Sequence, residues 1–304
     1  MTPHSSLLDC DVVIVNHNAG ALLATSVQSA LAERARRVVV VDNDSRDDSL
    51  SLLAAALSDE RLSIARQDRN LGFAAGCNIG LNSCGSAAVL FLNPDCVLGD
   101  GSLRRMITVL DADASIGMVG GLLCNPDGSE QRGGRRQFPT PVRAFSRVTG
   151  LSGLARRFVP ALADFSLHGT LLPSRPTEVD AISGACMLVR RRAIEEVGWW
   201  DEGYFLHCED LDWCLRFRRR GWRVVFVPDA RATHAAGACS RGRRLFVEWH
   251  KHRGMLRFYR KHYKDRYPVV LWGLVAAGVW LRLGLIALWL SGAKLVKREG
   301  WLRP

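Results

Sequence analysis

Asp11-Val12-Val13-Ile14-Val15-Asn16-His17-Asn18 holds a short apolar run that breaks abruptly into three polar residues, and Leu23, Val27, Ala30 and Leu31 follow at helical intervals. The stretch reads as strand, loop, helix. The same unit recurs downstream. Arg37 to Val41 ends at Asp42-Asn43-Asp44-Ser45, and Leu50, Leu53, Ala54 and Leu57 continue with helical spacing. Leu62 to Ala65 leads through Arg69-Asn70-Leu71-Gly72 to Phe73, Cys77, Leu81 and Cys84 on one helical face. Ala87 to Leu92 stops at Asn93-Pro94-Asp95, and Leu103, Met106, Ile107 and Leu110 mark the next helix. Strands that alternate with helices predict an α/β fold with a mostly parallel central sheet covered on both faces. Every polar cluster falls at a strand's carboxyl end, where open α/β sheets bind ligands.

Further on, Met118 to Leu123 reads as a strand and Asn125-Pro126-Asp127-Gly128 as a turn before a Gly/Arg-rich stretch. Pro139 to about Thr177 shows only weak periodicity and is expected to be loop or short helices. Val179 to Val189 predicts a strand. A helix follows Glu209-Asp210-Leu211-Asp212, with Leu211, Cys214 and Leu215 inward and Gly221 as its stop, and Trp222 to Val227 predicts a strand ended by Pro228.

The chemistry-bearing residues admit more than one reading each. No GxGxxG and no GxxxxGK[ST] occurs, so a bound diphosphate calls for another counter-charge, and a divalent cation, Mg²⁺ or Mn²⁺, supplies it through oxygen ligands. Asp95 is placed to be such a ligand, or to cap a turn. Asp42, Asn43 and Asp44 either bind a base and ribose or cap the following helix, and both roles are compatible. Asn70 and Gly72 form an ordinary turn or part of the same site. Glu209, Asp210 and Asp212 either stabilise a helix N-terminus or include a general base. His234 is a metal ligand, an acceptor contact, or an ordinary histidine.

The 304 residues carry a formal net charge of +11, much of it late in the chain at Arg241, Arg243, Arg244, Lys251, Arg253, Arg257, Arg260, Lys261, Lys264 and Arg266. The cluster calls for an anionic surface. The apolar stretch Val269 to Leu290, broken only by Arg282 and followed by Lys294, Lys297 and Arg298, favours membrane lipid over nucleic acid. Nucleic-acid binding is not expected, because no aromatic sheet motif or groove-reading helix signature accompanies the charge. The stretch spans a bilayer, lies in its interface, or packs as a buried amphipathic helix pair bearing Trp272, Trp280 and Trp289. Met1 to Leu8 lacks the pattern of a signal peptide, which predicts a cytoplasmic catalytic part. The nine scattered cysteines, without a CxxC pair, are expected to be buried reduced thiols.

Taken in order, Val13-Ile14-Val15-Asn16-His17-Asn18, Val41-Asp42-Asn43-Asp44-Ser45, Arg69-Asn70-Leu71-Gly72-Phe73-Ala74, Asn93-Pro94-Asp95, Ser183-Gly184-Ala185-Cys186-Met187 and Glu209-Asp210-Leu211-Asp212 resemble the family 2 glycosyltransferases of GT-A fold, especially their rhamnosyltransferase-like branch. The resemblance covers about residues 10 to 240. It implies an inverting transferase acting on a nucleotide-diphospho-sugar donor, with dTDP-rhamnose first, and a lipid-linked sugar acceptor in cell-surface glycan synthesis. A catalytically inactive nucleotide-sugar-binding membrane tether of the same fold is the alternative. By resemblance, Val15, Asn16, Asn18, Asp42, Asn43, Asp44, Asn70, Gly72, Asn93 and Asp95 face the donor, and Asp95 with His234 holds the metal. Asn93 stands where the DxD-like triplet has its first carboxylate. Asp210 is the base, with Glu209 as fallback, and Gly184, Ala185, Arg135 and Arg136 face the acceptor. The expected division is a nucleotide-sugar half over 1–122, an acceptor and catalytic half over 123–245, and membrane-associated helices over 246–304. The segment near 268–292 would seat the chain on the cytoplasmic face of the inner membrane.

Overall fold

The computed structural model describes residues 6–140, 166–235, 237 and 243–299, with side chains as far as 291. Most of the aperiodic stretch between Pro139 and Thr177, together with Arg241, Cys239 and the side chains of Lys294, Lys297 and Arg298, lies outside the described residues.

In the first half, the apolar runs form strands and the helical spacings form helices. The first half comprises β1 (Leu8–Asn16), α1 (Leu22–Ala32), β2 (Ala35–Asn43), α2 (Ser49–Ala56), β3 (Leu62–Gln67), α3 (Phe73–Asn82), β4 (Ala88–Leu92), β5 (Cys96–Leu98), α4 (Ser102–Ala112) and β6 (Ile116–Cys124). The short β5 follows Asp95 directly and carries no periodic signal of its own. The second half comprises β7 (Arg135–Arg136), β8 (Thr177–Glu178), β9 (Ala181–Ile182), β10 (Cys186–Arg190), α5 (Arg191–Val197), α6 (Glu209–Arg219) and β11 (Arg223–His234), then α7 (Arg244–Tyr263) and α8 (Val269–Glu299).

The main sheet runs β3-β2-β1-β4-β10-β6-β11-β5, with β8 also on β11, and β7 pairs with β9 in a second, two-stranded sheet. Strands β3, β2, β1 and β4 are parallel, while β10 runs antiparallel between β4 and β6. Alternation along β1 divides the core. Val12 and Ile14 join Leu23, Val27 and Leu31 of α1 on one face. On the other, Val13 and Val15 meet α3 at Gly80 and Gly76, where an added Cβ would come within 2.4 and 2.6 Å of a valine methyl. Burial on both faces is why these strands read as unbroken apolar runs. Beneath β4 and β10, Phe91 meets Trp200 and Trp213 edge to face, as Phe217 meets Trp213, while the Trp200 and Trp213 rings lie tilted with centroids 4.2 Å apart.

Two boundaries differ from the sequence expectation. The strand expected over Val179 to Val189 is two, β9 and β10, separated by Ser183-Gly184-Ala185. The strand expected to end at Pro228 continues to His234, because its pairing with β6 slips between Val227 and Arg231 and the irregularity accommodates the proline.

The described residues fall into two compact units, one within Met1–Phe138, Phe165–Phe205 and Glu209–Cys239, the other within Pro139–Asp164, Leu206–Cys208 and Ser240–Pro304. In the second, Val269–Ser291 of α8 is long and apolar enough to cross a membrane. The eight described cysteines are buried and unpaired with one another.

Candidate active site

The polar clusters converge at the carboxyl ends of β1, β2 and β4, joined by the loop before β10 and the start of α6. At the end of β1, Asn16 Nδ2 lies 2.8 Å from Asp42 Oδ1 and 2.9 Å from the Ser45 and Ser49 hydroxyls, while Asn16 Oδ1 is buried without a partner. His17 Nδ1 donates to the Asn43 carbonyl at 2.9 Å, and Asn18 and Asp44 both adopt left-handed backbone, φ +57° and +60°. Asn18 Oδ1 accepts from Arg46 N at 2.8 Å, so the loops after β1 and β2 brace each other. Asn43 Nδ2 donates to Asn70 Oδ1 at 3.1 Å and to the Gly72 carbonyl at 2.9 Å. Val15 turns inward onto α3 at Gly76, so its side chain serves packing. Gly72, at φ +88°, leaves room for the Phe205 carbonyl, which would lie 2.6 Å from an added Cβ.

A second cluster gathers residues far apart in sequence. Antiparallel pairing of β5 with the end of β11 sets His234 opposite Cys96, and so beside Asp95. His234 Nε2 lies 3.1 Å from Asp95 Oδ1 and 3.2 Å from Asn93 Nδ2. Gln131 decides the tautomer. Its amide nitrogen donates to Asn125 Oδ1 at 3.1 Å and to the His234 carbonyl at 3.0 Å, which leaves its oxygen 2.6 Å from His234 Nδ1. Nδ1 therefore carries a proton, and in the neutral ring the Nε2 lone pair points at the carboxylate. The Nε2 and Asp95 Oδ1 lone pairs, close together with Asn93 Nδ2 beside them, are a donor pair that would suit a cation, and a hydrogen bond behind the imidazole is the usual device for orienting a ligating histidine. Among the described residues no group of three or more His, Cys, Asp or Glu side chains gathers in this way, so a cation here would fill its shell with substrate oxygens and water. Gln131 was missed in the sequence because a lone Gln in a Gly/Arg-rich turn carries no motif.

The third cluster lies at the start of α6, entered through His207 and Cys208, both left-handed at φ +69° and +72°. Consecutive non-glycine residues in that region are strained, and such strain concentrates at functional sites. Asp210 Oδ2 accepts from Arg136 Nη2 at 2.5 Å and from Gly184 N at 3.2 Å, and Oδ1 from Leu211 N at 2.8 Å. Burial alone would raise the Asp210 pKa, but the Arg136 charge and these hydrogen bonds outweigh it and hold the carboxyl below its ordinary value. Glu209 behaves oppositely. Burial, then the neighbouring Asp210 charge, pushes it up to about 8, and its Oε2 is buried without a partner. Two adjacent carboxyls are thus driven to different protonation states.

The basic pair expected to face an acceptor is divided. Arg136 reaches Asp210 and the Ile182 carbonyl. Arg135, 4% exposed, is clamped by both Glu130 oxygens at 2.7 and 3.1 Å and by Thr170, and lies over the Phe226 ring, so it is turned away from the cluster. The backbone of Ala185 accepts from Asn93 N at 2.9 Å and ties the second and third clusters together.

A strand-end carboxylate with a histidine behind it, an acidic helix start and a nucleotide-type half-sheet occur here in the order of one family, and the profile described as "Glycosyltransferase like family 2" matches residues 9–247. The chain belongs to glycosyltransferase family 2. It is 31% identical over 239 residues, 73% of this chain and 75% of the other, to the N-acetylglucosaminyl-diphospho-decaprenol L-rhamnosyltransferase of Mycobacterium tuberculosis. It is 29% identical to the rhamnosyltransferase WbbL of Escherichia coli K12 over 49% of this chain and 52% of that one. Among solved structures, the mannosyltransferase PcManGT of Pyrobaculum calidifontis, in complex with GDP-Man and Mn²⁺, superposes with a TM-score of 0.57 at 16% identity, covering 96% of this chain and 81% of that one. The family 2 transferase is therefore built on the GT-A fold, with the mostly parallel sheet expected from its sequence.

Proposed function

We propose that this transferase moves rhamnose from dTDP-rhamnose onto a sugar carried by a lipid diphosphate, with inversion, in cell-surface glycan synthesis at the cytoplasmic face of the inner membrane. The observation that carries the catalytic part of the reading is the divergence of Glu209 and Asp210. Asp210 is the carboxyl that stays ionised at neutral pH, and it is aimed by Gly184 N and Arg136. It takes the proton of the attacking acceptor hydroxyl, and Glu209, held protonated, keeps a second negative charge away from the incoming nucleophile.

A divalent cation, Mg²⁺ or Mn²⁺, fits the Asp95 and His234 donor pair and would neutralise charge on the departing nucleoside diphosphate. The chain's own residues do the positioning. Asn16, Asp42, Asn43 and Asn70 form the polar floor under a nucleoside, with the unpartnered Asn16 Oδ1 offered to a donor group. Asn93 Nδ2 and Gln131 fix the His234 ring, and Arg136 stands beside Asp210 where an anionic acceptor would draw on it. The M. tuberculosis relative's name supports the rhamnose donor and the diphospho-lipid acceptor, and the apolar α8 with its basic surroundings supports membrane seating.

The test is nucleotide release by the purified chain with a membrane lipid extract as acceptor, across dTDP-rhamnose, UDP-sugars and GDP-sugars, with and without Mg²⁺ or Mn²⁺. Turnover of dTDP-rhamnose that needs metal and is lost in Asp210→Asn and Asp95→Ala supports the reading. Turnover of a different donor replaces the sugar, and nucleotide binding with no turnover of any donor points to the inactive tether.

A further inference from the structure

We infer that α7 and α8 lie together in the plane of an anionic membrane surface as a helical hairpin, and that α8 does not cross the bilayer. The inference rests on the membrane-seated reading above and decides its geometry.

Its ground is the register of the two helices within the second unit. Lys264 to Pro268 joins them by a short turn. Near that turn, Tyr259 and Tyr263 of α7 line a small cavity with Leu271, Trp272 and Val275 of α8. Midway, Trp249 and Trp280 pack with centroids 5.2 Å apart. At the far end, Leu245 and Phe246 share a cavity with Ala287 and Leu290. The pairing is antiparallel and runs the full length of α7. Arg282, the one charge in the apolar run, also falls beside α7: burial lowers the His252 pKa, and the Arg282 charge adds to the depression.

A helix of twenty residues is about 30 Å long, the thickness of a bilayer's hydrocarbon core. If α8 crossed that core with its partner in this register, α7 would cross too. Exposed Arg243, Arg244, Arg253, Arg257, Arg260 and Lys261 are distributed from one end of α7 to the other and would enter hydrocarbon, where each is strongly disfavoured. Laid in the interface, the same hairpin meets both demands. Val270, Leu274, Leu281, Leu285, Leu288 and Trp289, all exposed, enter the acyl boundary, and the basic side chains stay with the lipid phosphates. From Arg243 to Ser291 ten arginines and lysines stand against two carboxylates, a balance suited to an anionic leaflet.

The test uses the full chain with a C-terminal epitope, expressed in cells from which sealed, inverted inner-membrane vesicles are prepared. Flotation reports whether the protein is seated at all, independently of any transfer activity. With the vesicles intact, added protease should remove the epitope together with the catalytic part. An epitope protected until detergent is added would show that α8 crosses and would overturn the inference, as would a chain absent from the vesicles, which would overturn the membrane reading itself. In parallel, Arg253→Gln/Arg260→Gln/Arg266→Gln should lower partition of the purified chain onto phosphatidylglycerol-containing vesicles by at least about tenfold. Unchanged partition would exclude the anionic surface as the partner.

Discussion

Arg136 Nη2 lies 2.5 Å from Asp210 Oδ2, joining a residue of the Gly/Arg-rich stretch to the first turn of α6 across 74 positions of sequence. The side chains keep 14% and 12% of their exposure, so the pair is largely shielded from water. Removing one partner of such a pair strands the other. Arg136→Gln is expected to destabilise the fold by about 3 kcal/mol, measured by denaturant unfolding. Without the guanidinium the Asp210 pKa rises, so the acid limb of the kcat profile should move to higher pH. Asp210→Asn should lower kcat by about 10²- to 10⁴-fold while leaving nucleotide binding intact.

Gln131 touches neither donor nor acceptor in the proposed chemistry, yet it fixes which nitrogen of His234 faces Asp95. Gln131→Met keeps the volume and removes the hydrogen bond. The metal concentration for half-maximal turnover should rise by about 10- to 100-fold, read directly by a titration with Mn²⁺, alongside a stability loss of about 1–3 kcal/mol from the groups left unpaired at His234. An unchanged requirement would remove His234 from the metal site.

Glu209 makes stability depend on pH in an unusual direction for a carboxyl. Its folded pKa, about 8, lies above the unfolded value, so the folded state binds the proton more tightly. This contribution is fully present below the unfolded pKa and is lost as pH rises through the folded one. Thermal melts of the parent chain should therefore show a falling component between about pH 5 and 8. Glu209→Gln should flatten it, and an identical slope in the variant would show that Glu209 is ionised at neutral pH.

Gly72 sits at φ +88° with the Phe205 carbonyl where a Cβ would point, and Phe73 N donates to that same carbonyl at 2.8 Å. Gly72→Ala combines backbone strain with a backbone clash. A loss of about 2–3 kcal/mol is expected, together with weaker nucleotide binding because Asn43 is anchored to the Gly72 carbonyl. Calorimetric melting and nucleotide titration measure the two effects separately.

The half-sheet was legible from the chain because its information is local. Val12 to Val15 and Val38 to Val41 are buried on both faces, so they read as apolar runs, and the polar residues that end them fall where such strands must stop. That logic places Asp42, Asn43, Asn70 and Asp95 at or just after strand ends, since position at a strand end is a property of the sequence. The partners of those residues were not legible. His234 reaches Asp95 only through the β5 to β11 pairing, Gln131 reaches His234 over 103 positions, and Arg136 separates from Arg135 because β7 sends alternate side chains to opposite sides. Likewise the chain gave the composition of α8 but not its neighbour. Sequence by itself determined which segments are strands, helices and polar strand ends, because periodicity and burial act residue by residue. Only tertiary structure decided in which direction each carboxyl's pKa moves, which nitrogen of His234 faces Asp95 and which helix packs beside α8, because protonation and packing depend on what long-range folding brings within a few ångströms.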